Sequence, residues 1–296
     1  PSYVDELLDR INSINEIKER NLILESFEKN RADNWKLHKF YAEEGVNDSE
    51  IATIIRNDDV EQLQILLSNN SINVDSTIPF SVFEHIPFLL SEPHLIQYAA
   101  FYGSINCFKY LLLSKASLEM TDLRKRTVMD YAAAGGFPEI VRICQQQEVG
   151  GSPLASAATF YRFDMFDYFE ETVIPALEDP KAEAAYYQDA LVAAIKSFNF
   201  GVIRRLFQWA GSSALYQATA ISNTIVIDAL LQFSISRDTV SFLFAMSSQS
   251  FDFETVTKLY NLAVSVLGKN VFRAHGFEID QQIKFLLVMN IFFELE

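Results

Sequence analysis

Histidines, cysteines and paired carboxylates are the side chains from which catalytic and metal sites are built, and their spacing here offers little for such a site. His38, His85, His94 and His275 lie far apart, and none falls in the HxxE, HExxH or CxxC spacings that turn ligands toward one metal ion. No metal site and no cofactor is expected. Cys107 and Cys144 could serve as nucleophiles only if exposed beside a base. Both stand where neighbouring segments carry apolar residues, so burial is expected. "VGGSP" (149–153) lacks the Gly-Lys-Ser/Thr of a phosphate loop, and "LGKN" (267–270) has Ala263 where that loop needs its first glycine. No GxSxG nucleophile elbow occurs. The carboxylate pairs, Glu170 with Glu171 and Asp164 with Asp167, read as solvated helix faces. The chain is therefore not expected to be an enzyme. One local cluster stands out: "DLRKRT", Asp122 to Thr127, places Arg124, Lys125 and Arg126 in succession.

Those cations sit in an acidic chain of 296 residues with a formal charge of -15 and a pI near 4.7. A nucleic-acid binder needs basic surface to displace counterions from phosphates, and the same field disfavours anionic lipid. Neither partner class is expected. With 49% hydrophobic and 13% aromatic residues a sizeable core can form. Two cysteines make no disulfide framework, which suits a reducing compartment and a cytoplasmic protein. No run reaches the roughly 18 to 20 apolar residues that span a bilayer; "FLLVMNIFF" (285–293) reads as a buried helix. The chain opens at Pro1 with no charged-then-apolar leader, and the missing Met reads as a trimmed start.

Sliding the sequence on itself locates the elements that must position these groups. "HLIQYAAFYGSINCFKYLL", from His94, superposes on "TVMDYAAAGGFPEIVRICQ", from Thr127, bringing Tyr98 onto Tyr131, Ala99 and Ala100 onto Ala132 and Ala133, and Gly103 onto Gly136. Apolar residues recur at helical spacing beyond the glycine. Paired alanines let helices approach, the glycine supplies a left-handed turn, and an amphipathic second helix returns. Thr127 with Asp130 is a helix-start signature, and His94 opens the preceding helix.

"TDLRKRTVMDYAAAGGFPEIVRI" (121–143) resembles an ankyrin repeat. Asp122 stands at the turn, Thr127 opens the signature, Ala132 and Ala133 hold its alanines, and Gly136 with Glu139-Ile140-Val141 matches the inter-helix turn and second helix. Lys115-Ala116 takes the place of the usual Gly-Ala, Lys125 that of the turn glycine, Val128 that of the proline and Asp130 that of the histidine. The resemblance is to a divergent ankyrin-repeat protein, of the kind expanded in some protists. It implies a protein partner contacted at finger tips, with Asp122, Arg124, Lys125 and Arg126 on the tip and Phe101 and Tyr102 beside the same groove. The cations there favour an acidic segment of the partner.

Looser copies start at Glu50, at Ser152 with Ala157-Ala158, at Leu191 with Ala194, at Leu215 with Ala218 and at Phe242. Their closer spacing beyond 150 predicts shortened fingers. The expected fold is an all-α, ankyrin-like α-solenoid of stacked helix-turn-helix repeats. Residues 1–48 form a helical amino-terminal cap, with a capping box at Ser13 and Glu16. Ankyrin repeats occupy 49–150, clearest at 94–147, with an inserted loop at about 71–93 that includes a short helix. Degenerate helical pairs fill 151–275 and an apolar carboxyl-terminal helix 276–296, all in one continuous solenoid. The expected function is a non-enzymatic interaction scaffold; the alternative is a structural module that forms a homo-oligomer through its end repeats or apolar last helix.

Overall fold

Helices form where the alanine-rich and apolar-periodic segments lie, and they reverse in pairs at short turns. The computed structural model describes residues 34–69, 72–177 and 179–210, with Arg31, Ala218, 224–230, 261–262 and Ser265 besides. Its helices are α1 (Lys36–Glu44), α2 (Glu50–Arg56), α3 (Val60–Ser68), α4 (Leu95–Tyr102), α5 (Ile105–Leu113), α6 (Val128–Gly135), α7 (Pro138–Gln146), α8 (Pro153–Thr159), α9 (Phe163–Thr172), α10 (Pro180–Lys196), α11 (Phe200–Ala210) and α12 (Thr224–Leu230). The described residues fall into two compact units. The first is drawn from Pro1–Ala99, Asn106–Ser117 and Thr121–Lys125, the second from Ala100–Ile105, Leu118–Met120 and Arg126–Glu296. The opening capping box, the units from Leu215 and Phe242 other than the residues named, and the apolar segment 276–296 lie outside the described residues.

In the first unit, α2 is capped by the Ser49 hydroxyl and α3 by the Asp59 carboxylate. Ile51, Ala52, Ile55, Leu63, Leu95, Tyr98, Phe108 and Leu111 are buried and form its core. Asp58 reverses the α2–α3 hairpin with a left-handed φ of 53°, a conformation that aspartate tolerates better than most residues. Its carboxylate also reaches the start of α5, accepting from the backbone N–H groups of Asn106 at 3.2 Å and Cys107 at 2.8 Å. It thereby satisfies orphan donors of a helix distant in sequence.

Residues 72–94 make turns; the short helix expected there is not formed. Pro79, Pro87 and Pro93 lack the N–H a helix needs, and local side chains bind the backbone in turns. The Ser81 hydroxyl accepts from Phe83 N at 3.1 Å, and the Glu84 carboxylate from Ile86 N at 3.0 Å. The loop is pinned by Asn47 Nδ2, which donates to Pro79 O at 2.7 Å, and by His85 N, which donates to Gly45 O. Its end closes on itself through an antiparallel bridge between Thr77 and His94.

In the second unit α6 packs on α8 and α8 on α10, while α7, α9 and α11 each pack on the helix that precedes them. Ala132, Ala133, Ala157, Ala158, Ala190 and Ala194 are fully buried on the first helices of these hairpins, the small side chains allowing close approach. Residues 147–152 alone join α7 to α8, against 114–127 between α5 and α6. The shortened connection is the reduced finger that the closer spacing predicts.

Among the described residues, each hairpin turn places one left-handed residue two positions before its second helix. These are Asp58, Gly103, Gly136, Tyr161 and Phe198, with φ of 53°, 71°, 82°, 57° and 58°. At Gly103 the glycine is required twice over, because a Cβ there would sit 2.2 Å from the Phe137 ring. The later hairpins add side-chain ties. Arg162 Nε donates to Ala134 O at 3.0 Å, and the buried Asn199 donates through Nδ2 to Ala158 O at 2.8 Å. Each reaches back to the first helix of the hairpin before it.

Candidate functional site

The groups with chemical potential are mostly absorbed by the scaffold. Cys107 and Cys144 are fully buried, and burial pushes each thiol up to about 12, with Asp58 adding to the effect at Cys107. A thiolate nucleophile is not available at either position near neutral pH. His94 Nδ1 lies 2.7 Å from the Asp75 carbonyl, to which it donates, and its backbone N–H donates to Gln97 Oε1. His38 stacks edge-on with Trp35 and Phe83. His275 lies outside the described residues. Arg205 pairs with Asp167 and Glu170. No group of three or more His, Cys, Asp or Glu among the described residues could hold a metal ion.

Within "VGGSP", Gly150 O accepts from the Thr127 hydroxyl at 2.7 Å and Ser152 N donates to Asp130 Oδ1 at 2.7 Å. The segment is a packed connection. Thr127 and Asp130 form a reciprocal capping box, as the sequence signature predicts. Burial raises the Asp130 carboxyl above the usual range, against the hydrogen bonds from Thr127 and Ser152 that lower it.

The turn 122–125 is built from its first residue. Asp122 is buried, and its Oδ1 accepts from Arg124 N at 2.9 Å while its carbonyl accepts from Lys125 N. Leu123 N donates to Ser91 O at 3.1 Å, tying this turn to the loop before it. Asp122 thus holds the turn, and Arg124 and Lys125 point into solvent from it. Lys125 takes a φ of 62° and Lys115 one of 67°, the left-handed geometry that the missing glycines would have supplied. In the second unit the half-buried Arg126 guanidinium lies 5.4 Å over the Tyr131 ring. Phe101 is buried there, edge-on to Phe160 and Tyr102; Tyr102 is half-buried. Phe101 belongs to the core of that unit.

Sequence reasoning missed the Asp58 cap, whose partners are too distant in the chain to suggest it. It also missed Tyr161 and Phe198 as turn residues, although their offset from the following helix matches that of the glycines.

The family model for ankyrin repeats in many copies matches residues 96–143. The crystal structure of human ASB11 ankyrin repeat domain is similar at 12% identity over 80% of this chain and 97% of that one, with a TM-score of 0.32. None of the curated proteins matches. The ankyrin-repeat match is thus to residues 96–143, and the described residues are helical, arranged as successive hairpins. Ankyrin repeats generally mediate protein–protein interaction. No helix among the described residues is long and apolar enough to cross a membrane.

Proposed function

We propose that the protein is a non-enzymatic interaction scaffold that engages a protein partner through the cationic turn 122–127. The supporting observation is a rigid turn whose buried Asp122 fixes the backbone while Arg124 and Lys125 stand exposed in an otherwise acidic chain. An acidic segment of the partner suits them, since an arginine fork pairs two carboxylate oxygens at once. In the second unit Arg126, over Tyr131, and the half-buried Tyr102 are separate candidate contacts for a partner. The buried thiols suit a reducing, cytoplasmic setting.

The test is affinity capture with cross-linking from the source cell, comparing the unaltered chain with Arg124→Glu/Lys125→Glu. The scaffold reading expects partners to be lost while the circular dichroism and melting temperature stay unchanged. An identical partner set from the doubly reversed chain would reject the turn as the contact.

A further inference from the structure

The hairpin turns of α8–α9 and α10–α11 depart together from the ankyrin pattern. Where the earlier turns carry glycine, they read Tyr161-Arg162-Phe163 and Phe198-Asn199-Phe200. Tyr161, Phe163, Phe198 and Phe200 are 47%, 47%, 43% and 42% exposed, although at the left-handed positions Tyr161 and Phe198 glycine would carry no conformational cost. The two turns are neighbours in one unit. The Tyr161 hydroxyl donates to Ser197 O, and the Phe163 ring packs against Gly201, where a Cβ would lie 3.1 Å from it. Exposed rings gathered in this way mark an interaction surface rather than scattered surface apolarity.

The charges around the rings define the occupant. Arg162, Lys196 and Arg204 are exposed beside the rings, Arg204 one helical turn from Phe200 on the same face. The nearby acids are Asp164, and Asp167 and Glu170, which Arg205 pairs; that leaves Arg162, Lys196 and Arg204 against Asp164, inside a chain whose formal charge is -15. The turn backbone offers nothing further: the N–H groups of Tyr161, Arg162, Phe163, Phe198, Asn199 and Phe200 all donate to carbonyls of their own hairpins. An occupant must therefore be held by its side chains, without strand-like pairing.

From this geometry we infer a second docking surface, the aromatic turn edge of α8–α11, for a proline-rich acidic segment of another protein in polyproline II conformation. Such a helix forms no internal hydrogen bonds and has three residues per turn, rising about 9 Å per turn. Packed helices are spaced about 8–10 Å apart, so one turn of the segment advances one hairpin. A glutamate at every third position puts all carboxylates on one edge toward the cations and lays prolines on the rings. The net negative field disfavours a nucleic acid or anionic lipid in the same place. This surface is independent of the turn at 122–127.

The test is fluorescence anisotropy with the full chain and a fluorescein-labelled peptide of Glu-Pro-Pro repeats, at low and raised salt. Saturable binding that weakens with salt is expected, with no binding of a Lys-Pro-Pro peptide. Phe198→Gly/Phe200→Ser should weaken it by about tenfold or more, and Arg204→Glu by about threefold. The Phe198→Gly change keeps the left-handed turn, so the fold is retained. If the double variant unfolds, Arg204→Glu alone decides. Absence of binding, equal binding of the lysine peptide, affinity unchanged by Arg204→Glu, or a preference for oligothymidylate or lipid vesicles would overturn the proposal.

Discussion

The hairpins at 95–146 and those at 153–210 solve one backbone problem in two ways. In the first pair, Gly103 and Gly136 turn the chain with left-handed φ, and residues of the following segment fill the space above them: Phe137 over Gly103 and Arg162 over Gly136. In the second pair, Tyr161 and Phe198 adopt the same conformation with a full side chain, at a cost of roughly 1–2 kcal/mol per residue. The later repeats recover some of this through the Tyr161 hydroxyl bond to Ser197 O and the buried Asn199. The comparison teaches that the repeat is defined by its turn geometry and its buried alanines, while the residue at the turn is free to become surface.

The strongest way to break this contrast is to give the early turns a side chain. Gly103→Ala should destabilise by about 2–4 kcal/mol, since it combines left-handed strain with a collision against the Phe137 ring. Urea unfolding would show it as a lower midpoint with an unchanged slope. Asp58→Ala should follow at about 1–2 kcal/mol, the loss of a cap on α5 and of a residue suited to its φ. A melt of that variant no different from the unaltered chain would remove Asp58 from the account.

These two effects also show what was legible. Superposing 94–112 on 127–145 reveals the alanines and the turn glycines, because each is a short-range signal with one physical meaning. Lys115 and Lys125 stand where the resemblance implies glycine, and both are left-handed. The Asp58 cap could not, because its partners at 106 and 107 become neighbours only after the hairpins stack. Tyr161 and Phe198 were hidden because aromatic residues argue locally against a left-handed turn. The short helix expected within 71–93 fails against three prolines and side chains that capture their own backbone. At the candidate turn, the exposed Arg124 and Lys125 were legible as charge; the burial of Asp122 and Phe101 was a matter of packing.

A subtler probe uses Glu84, whose Oε2 is buried without a hydrogen-bond partner and whose carboxyl is raised by burial. A raised folded value means that its contribution is fully present below the ordinary glutamate range and is lost as pH rises through the raised value. Stability measured across that interval should therefore slope downward with pH, and Glu84→Gln should flatten the slope and be the more stable at neutral pH. A smaller effect is expected from Lys125→Gly, a gain of about 0.5–1 kcal/mol at an exposed left-handed position, read from the melting temperature. A loss there would mean that the turn 122–125 does not hold the glycine-like geometry.

The account rests on the later hairpins sharing the turn of the earlier ones, and one paired measurement addresses that directly. Phe198→Gly and Phe198→Ala both remove the ring and its contacts, and differ in tolerance of the left-handed conformation. Urea unfolding of the two variants should find the glycine chain more stable by about 1 kcal/mol. Equal stability, or a more stable alanine chain, would contradict a left-handed turn at Phe198 and with it the shared repeat geometry.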